Sequence, residues 1–137
     1  MSKLLPDLFL IGYGLMFLLV GMAGVFIAPW ELERVFRLDP AWLTQPEGAM
    51  FLNQYRFLKA AEAAFGLFCV YHRRDILAGG QNFVIFVAGC FLAILARALS
   101  WAVDGPPRTA FVLFLVLEAL TLILVWRHAR NGRDQLK

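Results

Sequence analysis

Residues 82–103 read NFVIFVAGCFLAILARALSWAV, 22 residues with a single charge at Arg97. About 20 helical residues cross the ~30 Å apolar core of a bilayer, so this stretch has the length and composition of a membrane span. Working outward from it, three more runs have the same character: 8–28, 49–71 and 110–127, so that the four are 18 to 23 residues long. Unpaired backbone N–H and C=O groups are not tolerated in lipid, and an open sheet cannot satisfy them there, so the spans are helices. Short links place sequential helices antiparallel. The expectation is an all-α fold: an integral membrane four-helix bundle forming one domain over residues 1–137.

Composition agrees. Apolar residues make up 61 % of the 137 residues and charged residues 17 %, against about 45–50 % and about 25 % in soluble domains. A chain this small cannot hide so much apolar surface within itself. The first run competes with a cleaved signal peptide, since Lys3 gives a positive start. It is long for such a segment, and Pro29 follows Ala28 where cleavage would fall, so it is read as a span.

Lys3, Arg73, Arg74, Arg127, Arg130, Arg133 and Lys137 collect on one side of the predicted spans; Arg34, Arg37 and Arg108 lie on the other. This asymmetry puts both termini in the cytoplasm, and the protein in the bacterial inner membrane. Trp30 and Trp101 mark the outer boundary, Tyr71 and Trp126 the inner one. The net charge of +3 is explained by this orientation and does not point to nucleic acid.

The first outer loop, 29–48, carries its own helix signals. Pro29 precedes Glu31 and Glu33, with Arg34 and Arg37 further on, the charge order that a helix dipole favours. Leu32, Val35 and Phe36 recur at helical spacing, so 30–38 is expected to form a short outer interfacial helix. Thr44 and Glu47 fit a capping box at the start of the second span, with Pro46 in its first turn. Asp104-Gly105-Pro106-Pro107 is a tight turn between spans three and four.

Polar residues inside the spans are the candidates for function. Asn53, Arg56, Lys59 and Glu62 follow one another at three-residue steps on span two; Arg97 lies on span three, and Glu118 with Thr121 on span four. At 1.5 Å rise per residue, Arg56, Arg97 and Glu118 each sit roughly 10 Å below the outer boundary. Opposite charges at one depth on neighbouring helices suggest pairs facing a bundle interior. The plainer reading is that the basic side chains snorkel to headgroups, and that the ion pairs only hold helices together. Lys59 with Glu62 fits an ordinary i,i+3 pair. Gly14, Gly21, Gly24 and Gly66, with the Gly89 and Ala93 series, permit close helix packing.

Several chemistries have no residues to support them. His72 and His128 lie at the cytoplasmic span ends, too shallow for a buried bis-histidine haem and far from Ser100, so no Ser-His-acid triad assembles. Cys69 and Cys90 fall in apolar runs and read as free thiols, and no metal-ligand spacing occurs. No catalytic residue, metal or cofactor is therefore assigned.

The order Asn53-Gln54-Tyr55-Arg56, Glu62, Gly66, then Arg97-Ala98-Leu99-Ser100, Asp104-Gly105-Pro106 and the intramembrane Glu118 resembles the bacterial membrane family known as domain of unknown function 4345. Ala28-Pro29 at the end of the first span is similar as well. Gln54 stands where many members carry an acid, and their Tyr-Gly-Gly is absent. The resemblance implies a compact four-helix membrane protein and no particular activity.

Asn53, Arg56, Lys59, Arg97, Asp104 and Glu118 are the candidate ligand-binding residues. Their excess positive charge in the outer half of the bilayer, with phenylalanine-rich walls, favours the anionic head of a membrane lipid or other amphiphile. The expected function is that of a non-enzymatic accessory protein, alone, as a homo-oligomer or in a larger membrane complex. The alternative is a small proton-coupled carrier using Glu118 and Glu62, to which the apolar inner halves of the spans offer no pathway. An enzyme using Asp104, Glu118 and Arg97 ranks last, for want of a nucleophile.

Overall fold

A computed structural model describes residues 4–107 and 109–134; residue 110 and residues 132–134 are described by backbone alone. Lys3, Arg108 and Lys137 of the charge count lie outside these residues, as does the side chain of Arg133. The described chain is helical: α1 Leu4–Arg34, α2 Pro40–Leu43, α3 Pro46–Tyr71, α4 Arg73–Ala78, α5 Gln81–Asp104 and α6 Thr109–Asp134. Among the described residues, three helical stretches are long and apolar enough to cross a membrane: Leu4–Arg34, Gln81–Asp104 and Phe111–Asn131. The 26 residues of α3 make a rod of about 39 Å at 1.5 Å per residue. It is set apart from the other three by the charges in its middle, Arg56, Lys59 and Glu62. Leu19, Phe26, Phe57, Phe91, Leu99 and Leu113 are exposed, which suits helices whose surroundings are themselves apolar.

The outer loop differs from its expected form. No separate helix covers 30–38. Instead α1 bends at Ile27 (φ −101°, ψ 17°) and continues through Pro29 to Arg34. Proline removes one i→i−4 hydrogen bond and its ring crowds the preceding turn, so the helix bends there rather than ending. The helix ends at Arg34, and beyond it Arg37 has a left-handed φ of 57°, a conformation usually taken by glycine after a helix. The capping box does not form either. Thr44 ends α2, and its hydroxyl donates back to the Ala41 carbonyl at 2.8 Å. Asp39 caps α2 by accepting from the Ala41 N–H at 2.9 Å, with Pro40 at the first helical position.

The chain divides into two compact units, one of residues up to Tyr13 with those from Cys69 onward, the other Gly14–Phe68. In the first, α4 packs on α5 and α6, and α5 on α6. Its core holds Leu10, Tyr13, Cys69, Ile76, Phe83, Phe86, Cys90 and Val125. The link expected between spans two and three is the short helix α4, closed by Gly79 in the left-handed region at φ 74°. Asp75 then accepts from the Asn82 N–H at 2.9 Å, at the start of α5.

In the Gly14–Phe68 unit, α1 and α3 run antiparallel at close range. A Cβ on Gly21 would stand 2.5 Å from the Ala63 nitrogen, one on Gly66 would strike the Leu18 backbone, and one on Gly24 would strike the Lys59 stem. Positions 21, 24 and 18 thus oppose 63, 59 and 66, so one rises in the chain as the other falls. Only glycine allows backbones this near, the close approach that small residues permit between helices. Ala28, Leu32, Leu43 and Tyr55 form the buried cluster at the other end of this unit, with Phe36, Leu38, Trp42 and Leu52 packed against it.

Candidate functional site

Each unit carries a buried charged cluster. In the unit containing α5 and α6, Glu118 is 1 % exposed. Such a carboxylate must have donors, because an unpaired buried charge is costly. Tyr13 supplies one from α1, its hydroxyl donating to Glu118 Oε1 at 2.8 Å. Arg97 supplies the other from α5, its Nε–H donating to Oε2 at 3.3 Å. Both carboxylate oxygens are therefore engaged. The Tyr13 hydroxyl also lies 3.9 Å from Cys90 Sγ, and the Tyr13 ring meets Phe86 edge-on at 6.5 Å. Thr121, fully buried one turn below Glu118, donates to the Leu117 carbonyl at 2.8 Å and satisfies itself within its own helix.

The Arg97 side chain is 30 % exposed. Among the described residues its only polar contact is the one through Nε. The two terminal guanidinium nitrogens are left available. Ser100 and Asp104 follow Arg97 on α5 by about one and two turns and so share its face. Both are exposed, and the Ser100 hydroxyl donates to Asp104 Oδ2 at 2.8 Å.

The second cluster inverts the charges. Lys59 is 7 % exposed; its Nζ lies 3.2 Å from Glu31 Oε1 and 3.1 Å from Glu62 Oε2. Its alkyl stem runs over Gly24, where no side chain stands in the way. The ammonium also sits 5.3 Å from the centre of the Tyr55 ring, within cation–π range. Glu31 Oε2 and the Tyr55 hydroxyl, which lies against Glu31, are buried with no partner outside this pair.

Of the six predicted site residues, Arg97 and Glu118 are brought together. Lys59 is buried between two carboxylates, whereas Asn53 and Arg56 are exposed on α3 and Asp104 is exposed on α5. The i,i+3 pair of Lys59 with Glu62 is present. Tyr13, Tyr55 and Glu31 went unrecognised in the sequence. A tyrosine inside an apolar run needs a partner for its hydroxyl, and that signal was available for Tyr13. Glu31 carries no such signal, because its spacing fits a surface helix and its partner Lys59 is 28 residues away.

One family model matches, that of Domain of unknown function (DUF4345), over residues 7–128. No curated protein and no solved structure matches the chain. The family match takes in nearly all of the described helices, and the chain belongs to that family.

Proposed function

We propose that this member of the DUF4345 family is a non-enzymatic, four-pass protein of the inner (cytoplasmic) membrane, with both termini in the cytoplasm, that holds the anionic head of a membrane lipid or other amphiphile at Arg97. The observation that carries this reading is Arg97 itself. Glu118 fixes the guanidinium through Nε alone, and the two terminal nitrogens remain on a side chain 30 % exposed. A guanidinium offers a rigid fork of donors that matches phosphate and carboxylate oxygens. Apolar surface adjoins it: Trp101, one turn beyond Arg97 on the same side of α5, is exposed and offers a wall against which the start of an acyl chain can lie. The fourth pass is α3. Its Lys59 and Glu62 charges are paired within the protein, which lowers the cost of placing them in a bilayer. Arg56 is exposed, and its stem is long enough to reach headgroups.

Native mass spectrometry of the protein, purified in mild detergent, tests the proposal. The parent is expected to carry a stoichiometric anionic lipid. Arg97→Gln loses it with helix content unchanged by circular dichroism, and Arg97→Lys keeps part of it. A parent that carries no such lipid, or an Arg97→Gln protein with the same lipid complement, removes the proposal.

A further inference from the structure

Resting on the reading of Arg97 as an anion site, and narrowing it, we infer that the group held there is a phosphodiester whose outer end carries a hydroxyl, as in the head of phosphatidylglycerol, and that Asp104 accepts from that hydroxyl. Arg97, Ser100 and Asp104 share one face of α5, with Ser100 about 4.5 Å and Asp104 about 10 Å beyond Arg97 along the helix axis.

The first ground is the order of hydrogen-bonding groups on that face. Arg97 brings donors only. Its Nε–H is taken by Glu118 at 3.3 Å, and its terminal nitrogens remain available. Ser100 and Asp104 bring acceptors. The Ser100 hydroxyl donates to Asp104 Oδ2 at 2.8 Å, which leaves the serine oxygen free to accept. Asp104 Oδ1, on an exposed residue, has no partner among the described residues. The face therefore presents donors at its inner end and acceptors at its outer end. A phosphodiester bearing a hydroxylated head presents the complement, acceptor oxygens followed by donors. With a hydrogen bond of about 3 Å at either end, the phosphate and glycerol between them cover the separation of Arg97 from Asp104. A fatty carboxylate or a bare phosphate has no such outer donor, and sets like charge toward Asp104.

The second ground is the place of the acid. Asp104 is the last residue of α5, and no basic residue stands in the last turn. That end of a helix favours cations, so a carboxylate there is unfavourable. Among the described residues no ion pair offsets it, since Arg97 pairs with Glu118. A donor from outside the chain supplies what the helix end lacks. A hydroxyl does so while leaving the head anionic, which an ammonium would not.

The test is competition between two synthetic lipids with the same acyl chains, phosphatidylglycerol and phosphatidylethanol. Both are singly charged phosphodiesters, and only the first carries hydroxyls. They are added in equal amounts to the purified full chain in mild detergent, and the bound lipid is read by native mass spectrometry. The parent is expected to favour phosphatidylglycerol by about threefold or more. Asp104→Ala should bring the ratio close to one, and Asp104→Asn, which keeps an acceptor oxygen, should hold part of it. Equal binding of the two lipids to the parent overturns this inference and leaves the Arg97 reading standing. Binding of neither removes the Arg97 reading and this inference with it. A preference that persists undiminished in Asp104→Ala also overturns the inference. Should Asp104→Ala not fold, an undiminished preference in Ser100→Ala, which no longer holds the carboxylate in place, is equally contrary.

Discussion

The two polar clusters solve opposite problems. In one, a buried anion, Glu118, is served by two donors, Tyr13 and Arg97, each meeting a different oxygen. In the other, a buried cation, Lys59, is served by two carboxylates, Glu31 and Glu62. The first arrangement closes: both carboxylate oxygens are occupied, and surplus hydrogen-bonding capacity is carried out to the half-exposed guanidinium. The second does not close, because two carboxylates bring more acceptors and more charge than one ammonium uses, and the surplus is trapped inside as Glu31 Oε2 beside Tyr55. Burial alone thus says little about a charge in such helices. What matters is whether its partners balance it and where the excess is placed.

The largest expected effect comes from removing the centre of the unbalanced cluster. Lys59→Met leaves two carboxylates facing each other with no cation between them, and should cost about 3–5 kcal/mol in denaturant unfolding of the purified protein. Adding Glu31→Gln and Glu62→Gln should recover most of that loss. If Lys59→Met alone is nearly neutral, the cluster is better hydrated than its burial implies and the contrast between the two clusters collapses.

Tyr13→Phe probes the balanced cluster. It strips one donor from Glu118 but leaves Arg97 in place, so the expected loss is about 1–2 kcal/mol by the same unfolding measurement. A loss as large as that of Lys59→Met would mean that Arg97 contributes little and that the Glu118 cluster hangs on tyrosine. The smallest effect concerns the cap beside the Lys59 cluster. Arg37 holds a left-handed conformation that glycine adopts without strain, so Arg37→Gly should raise stability by about 0.5–1 kcal/mol. A decrease would show that the Arg37 side chain makes a contact worth more than its backbone strain.

Much of this was legible along the chain. The runs around Phe86 and Leu120 announce membrane helices through length and apolarity alone. The i,i+3 relation of Lys59 and Glu62 follows from helix geometry, and the pairing of Arg97 with Glu118 follows from matched depth. Other parts were not legible. The loop from Pro29 to Leu38 contains genuine helix signals, yet no local rule says that α1 will bend at Ile27 and carry those signals on as its own last turns. Thr44 fits a capping box by spacing, but the competing bond to Ala41 exists only because α2 forms. Glu31 looked like a surface charge because its partner, Lys59, lies far along the chain.

By itself, the sequence determined that this protein is built from long apolar helices and which few charges interrupt them, since a continuous run of about 20 apolar residues satisfies its own backbone in lipid as a helix and the residue pattern is local. Only the tertiary structure decided which charges meet. Side-chain pairing depends on helix rotation, on the bend at Ile27 and on glycine contacts such as Gly24 against Lys59. A shift of one residue in any of these turns a side chain by about 100° and assigns it a different partner.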